Sequence, residues 1–260
     1  MRIKLLFFLF LFLTVQLSFS QIKIENKIEK NTGSNNPSSS FAKSTTLKFE
    51  PIYFVLGTLS DYMGRFQYVD KENQVDRYYP YEKPLVNYLT GYINKEMNLK
   101  VDAVFEKSNH CKMYSSELAK ILNGFYGAKG ELINDKFETN EQIYSFLAGV
   151  YYRYGEKLDT SIYKIQMANS PKHKNCYDFL KLIGCKKIFY KYLHNIPAVF
   201  ILYFEPTDEL KRYLNLIEAN KLLLKESFDS EFKHVIDKDF EKRDQKFRQI
   251  EVENIRNAFY

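Results

Sequence analysis

The chain has no tryptophan, four histidines and three cysteines among 260 residues. Three cysteines allow at most one disulfide, which excludes a disulfide-stapled scaffold and leaves stability to a hydrophobic core. There is no Gly-rich phosphate loop and no Gly-X-Ser-X-Gly, so neither a P-loop nor a nucleophile elbow is present. The short Cys-X2-4-Cys and His-X3-5-His clips of zinc sites are missing too. His173, Cys176, Cys185 and His194 therefore make no metal signal, and neither metal nor cofactor is expected. After residue 20 no apolar run approaches the roughly 20 residues of a membrane-spanning helix. A strong charge of one sign is also lacking. The formal charge is +6, and it falls to +4 without Arg2 and Lys4. So mild an excess does not call for a nucleic-acid partner, where a clustered basic stripe is the usual mark.

What is present begins with a leader. Arg2 and Lys4 precede an apolar run from Leu5 to Leu17, and Ser18-Phe19-Ser20 supplies small residues before Gln21. This pattern is similar to a secretory signal peptide cleaved between Ser20 and Gln21, giving a secreted or periplasmic protein. Residues 21–46 are polar and rich in Ser, Asn, Lys and Thr, as in a flexible linker. Residues 47–227 form the expected globular domain, and residues 228–260 an amphipathic, densely charged C-terminal helix.

The predicted fold class is α+β: a small, at least partly antiparallel sheet covered by five or more helices. Its centre is Ile188 to Phe204. Ala198 to Phe204 is uncharged and rich in aromatic and β-branched residues, which predicts a strand buried on both faces. Asn195 and Pro197 mark a hairpin turn back to Ile188–Leu193. Tyr163, Ile165 and Met167 alternate as a second strand, and Leu99 to Phe105 as a half-buried one. Pro51–Met63 reads as helix or strand. Pro84–Met97 has one apolar helical face. A loop is expected at Asn109–Cys111, then a helix over Ser115–Phe125 with Leu118, Ile121, Leu122 and Phe125 inward. Thr139 and Gln142 make a capping box for a helix that ends at Gly155. Ser170-Pro171 opens a helix that stops at Gly184, and Thr207 caps another. Leu147 to Gly155, with Ala148 at the small position, resembles the first helix of a tetratricopeptide repeat. No copy recurs about 34 residues away, so no array is expected.

For chemistry, Cys176 stands one turn into a helix, where the dipole lowers a thiol pKa, with His173 three residues before it. This resembles the helix-borne nucleophile of NlpC-type cell-wall peptidases, although Tyr177-Asp178 replace that family's Ser-Gly. Of the other histidines, His234 is distant in a charged helix and His194, at the hairpin turn, is the better base. Helical spacing keeps Cys176 and Cys185 roughly 13 Å apart, beyond the ~7 Å reach of a disulfide. A bridge would need Cys111 with Cys176 or Cys185, and three free, buried thiols are the alternative. Lys186, Lys187 and Lys191 with Tyr190 and Tyr192 can meet an acidic glycan or polyanion, and a solvated sheet face explains them as well. The expected function is an exported, non-catalytic binding or interaction protein of the bacterial cell envelope. Its partner would be a protein or envelope component, with no nucleic acid, no membrane span and self-association through residues 228–260. The alternative is an envelope cysteine hydrolase using Cys176 or Cys111.

Overall fold

Among the described residues the chain forms seven helices and two antiparallel sheets, an α+β fold. The computed structural model describes residues 47–67, 69–106, 110–233 and 238–260. The leader and linker expected over residues 1–46 lie outside them, as do His234 and Ile236. In order, the elements are α1 (Pro51–Thr58), β1 (Gln74–Tyr78), α2 (Lys83–Met97), β2 (Asp102–Phe105), β3 (Cys111–Tyr114), α3 (Ser116–Asn123), α4 (Asn140–Tyr154), β4 (Gly155–Lys157), β5 (Tyr163–Ala168), α5 (Lys172–Leu182), β6 (Ile188–Leu193), β7 (Val199–Phe204), α6 (Asp208–Phe232) and α7 (Lys238–Phe259). One sheet runs β1-β3-β2 and the other β4-β5-β7-β6.

The centre is a pair of helices. α1 and α4 carry the same spacing, Phe54-Val55-Leu56-Gly57 and Phe146-Leu147-Ala148-Gly149. They pack backbone to backbone at those glycines. A Cβ at Gly57 would lie 2.1 Å from the Phe146 carbonyl oxygen, and a Cβ at Gly149 would lie 2.1 Å from that of Phe54. The contact is reciprocal, as a local two-fold relation requires. Each helix then leads into strands of its own sheet. α4 is buried along its whole length from Ile143 to Tyr152, not on a single stripe. The reason is position: α1, α6 and β5 all pack against it. Its capping box is formed, with Thr139 Oγ1 accepting from the Gln142 amide and Gln142 Oε1 accepting from the Thr139 amide.

The hairpin read from Ile188 to Phe204 is present, with Ile188 opposite Phe204 and Leu193 opposite Val199. β7 is central in its sheet and all but Phe200 of its residues are buried. β5 alternates as expected, with Tyr163, Ile165 and Met167 buried. Thr207 caps α6, and Leu210, Tyr213, Leu214 and Ile217 face inward.

Four local expectations are corrected. β2 is shorter and wetter than read: it starts at Asp102, and Val104 and Phe105 are exposed. Cys111 opens β3 instead of lying in a loop. Ile121 is exposed on the outer side of α3. The boundary expected at residue 228 falls inside α6. α6 continues to Phe232, because Phe228 and Phe232 pack on Tyr81 with ring centroids 5.0 and 6.1 Å away, and α7 is separate.

Candidate nucleic-acid interface

Where α1 ends, its last carbonyls need donors, and a buried lysine supplies them. Lys172, at the start of α5, donates from Nζ to the carbonyls of Leu56 (2.9 Å), Gly57 (3.3 Å) and Leu59 (2.6 Å). It also pairs with Asp61 at 3.1 Å, both side chains being almost wholly buried. The Tyr126 hydroxyl donates to the same carboxylate. Burial pulls the Lys172 pKa down, and Asp61 opposes it. Beside this pair Arg153 bridges Asp76 and Glu82, each at 2.6 Å, and donates to the Thr58 carbonyl. Arg65 donates to the Val75 and Gln74 carbonyls. The buried charges here, Arg65, Arg153 and Lys172 against Asp61, Asp76 and Glu82, balance in sign. They lock α1, α4, α5 and β1 together, and none of them is aimed at solvent.

That lock fixes the first turn of α5 and so the next residue, His173. Its Nδ1 lies 2.7 Å from the Ser170 carbonyl. Its ring stacks on Phe200 of β7 at 3.7 Å and 9°. Burial lowers its pKa. His173 is therefore a brace under the sheet. Phe200 pairs across strands with Tyr192, and Leu202 with Tyr190, so both tyrosines share its face of the sheet. Tyr192 stacks on Phe200 at 5.1 Å and 14°, and Tyr190 at 6.5 Å and 28°. Tyr177 of α5 meets Tyr190 edge-on at 6.3 Å. At the turn, His194 stands edge-on to Tyr192 at 4.2 Å. Tyr190 and Tyr192 remain 40% and 41% exposed. The result is a row of near-parallel rings open to solvent at the rim and braced from below.

Lysines flank this row. Lys174, Tyr177 and Lys181 follow one another at helical spacing along α5, and both lysines are exposed. The Lys181 ammonium sits 5.6 Å over the Tyr177 ring, and the charge of Lys174 contributes to the lowered His173 pKa. These three residues were missed as a set, although their i, i+3, i+7 spacing was there to be read. The lysines that the sequence grouped with the tyrosines are placed elsewhere. Lys191 alternates to the opposite face of β6, and Lys187 pairs with Glu205 and covers the Tyr260 ring.

All three thiols are buried and free. Burial pushes Cys176 up to about 12, despite Lys172 nearby, and Cys111 and Cys185 up to about 11. The helix dipole expected to activate Cys176 is outweighed by the loss of solvent. Among the described residues no three His, Cys, Asp or Glu side chains gather to hold a metal, and no helix is long and apolar enough to cross a membrane.

No family model matches the chain, and no curated protein does. Among solved structures it is similar to I-DmoI in complex with DNA and Mn, with 14% identity over 65% of this chain and 94% of that one, at a TM-score of 0.42. It is also similar to the N-terminal LAGLIDADG domain of DUF199/WhiA, with 16% identity over 67% and 84% and a TM-score of 0.40. Full-length DUF199/WhiA from Thermatoga maritima matches with 15% identity over 82% and 70%, at 0.41. The DNA held by I-DmoI stands against the expectation of a cell-envelope protein, binding or hydrolytic, with no nucleic-acid partner. At such overlap these matches transfer no activity to this chain, and the interface is read from its own geometry.

Proposed function

We propose that this chain binds single-stranded nucleic acid without chemically altering it, on the face formed by Tyr177, Tyr190 and Tyr192. The observation that carries the reading is the row of near-parallel, half-exposed rings braced by His173 and edged by Lys174 and Lys181. Unpaired bases stack on such rings whatever their sequence, and lysines follow the phosphates alongside. The charged groups elsewhere in the core neutralise one another, so they support a binding role better than catalysis.

Fluorescence anisotropy of a labelled 15-nucleotide oligo-dT tests it. Each of Tyr190→Ala and Tyr192→Ala should weaken binding by about 5- to 150-fold, the range that loss of one stacked base gives. Lys174→Glu with Lys181→Glu should weaken it and flatten its salt dependence. Binding that none of these changes affects would refute the reading. An anionic oligosaccharide that displaces the oligonucleotide at equal charge would reassign the partner.

A further inference from the structure

The opposite face of the four-stranded sheet is not open. α7 lies across it. Glu156, Lys164, Tyr203 and Phe189 form one row over β4, β5, β7 and β6. Glu251 of α7 sits on that row, accepting from Lys164 Nζ at 3.3 Å and from the Tyr203 hydroxyl. Arg248 pairs with Glu156, and Arg256 with Asp159 at 2.8 Å. The Tyr260 hydroxyl donates to Glu205 at 3.3 Å, and Lys187 covers its ring. Apolar packing is slight by comparison. Ile255 is buried, whereas Phe247 and Ile250 are 39% and 38% exposed. An open hollow of about 540 Å³ lies at the surface beside Leu158, edged by Arg248, Val252 and Arg256. A helix held mainly by partly exposed ion pairs is held weakly and by forces that salt screens.

We propose that α7 is a displaceable cover, and that an anionic polymer competes with Glu251 for the Lys164–Tyr203 row beneath it. The carboxylate of Glu251 occupies the place that a phosphate oxygen would take, between an ammonium and a phenol. The identity of the competitor rests on the nucleic-acid reading above, while the release of α7 does not. Removing the cover adds a second contact face on the far side of the same sheet.

The test uses the full chain. Glu251→Gln keeps the shape and removes the charge, and Arg256→Gln breaks the pair with Asp159 from its exposed side and leaves the Asp159 carboxylate bonded to the Ile162 amide. Hydrogen exchange of the amides of residues 246–258 should rise about tenfold in either variant, and in the wild type between 0.05 and 0.5 M salt, if the covered state outweighs the open one by roughly 10:1. At the face beneath α7, affinity for the 15-nucleotide oligo-dT should rise by about the same factor in the variants, since the open state of that face is no longer the minor one. Unchanged exchange in both variants overturns the proposal, and so does faster exchange without a gain in affinity. If Tyr192→Ala abolishes wild-type binding but Glu251→Gln adds nothing, the cover is refuted and the aromatic row stands. If Glu251→Gln raises affinity and Tyr192→Ala has no effect, the cover stands and the aromatic row is refuted.

Discussion

The contact between Gly57 and Gly149 makes a quantitative demand on the core. In Gly149→Ala the new Cβ would meet the Phe54 carbonyl oxygen at 2.1 Å and the Gly57 Cα at 3.1 Å. Both are backbone atoms and cannot swing aside, so the helix pair must open by about 1 Å. A gap of that size forfeits about half of each dispersion contact; over roughly 40 atom pairs of about 0.15 kcal/mol this comes to about 3 kcal/mol. Alanine returns up to about 1 kcal/mol through its better helix propensity. The expected net loss is about 2 kcal/mol, a fall in Tm of roughly 4–8 °C for a body of this size. Gly91→Ala is the control. Gly91 lies within α2 with nothing within 4 Å of a new Cβ, so the same substitution should stabilise by about 0.5–1 kcal/mol. Urea unfolding followed by circular dichroism measures both. Gly57→Ala should match Gly149→Ala. The double variant should cost less than the sum of the two, because one opening of the helices accommodates both methyl groups. A Gly149→Ala protein as stable as the wild type would refute the close-packed helix pair.

Lys172→Met should cost about 3–5 kcal/mol, because it leaves the Asp61 carboxylate buried without its cation. Adding Asp61→Asn should recover at least 1 kcal/mol of that, since the stranded charge is gone and asparagine accepts the left-handed φ of 45°; no recovery on chemical denaturation would show that the pair does not act as a unit. Lys221 is held down at about 8 by burial, against the pull of Glu156 and Glu218. A lysine depressed on folding penalises the fold fully below pH 8, and the penalty fades as pH rises toward 10.5. Lys221→Met should therefore stabilise by about 2 kcal/mol at pH 7, a figure that allows for partial solvent access and the lost bond to the Tyr152 carbonyl. A gain that persists undiminished at pH 10.5 contradicts this origin. The thiols of Cys111, Cys176 and Cys185 should resist Ellman's reagent at pH 7.5 in the folded protein and all react in guanidinium. Reaction within minutes without denaturant would show an exposed thiolate.

What the sequence made legible is what local periodicity encodes. The β6–β7 hairpin, the alternation of β5, the capping box of α4 and the cap of α6 each depend on residues within a turn or two of one another. The features that build the interface depend on partners far apart. Lys172 reaches carbonyls more than a hundred residues back, and Arg153 reaches Asp76 across 77 positions. A charge at such a position reads as a solvated surface group until the tertiary structure places it. Cys176 shows the same limit from the other side. Its helical position was read correctly, but the sign of its pKa shift was set by burial and not by the dipole. Lys191 was grouped with Tyr190 and Tyr192 by adjacency, and the two-residue period of the strand parts them. The repeated Phe-X-X-Gly of α1 and α4 lies between these cases. It was present in plain view 92 residues apart, but four residues make no detectable repeat. Only the reciprocal 2.1 Å approaches show that the two glycines answer each other. The helix pair that they bring together fixes the α1 carbonyls that Lys172 caps. Through Lys172 and His173, the same pair fixes the rings that face solvent on the sheet.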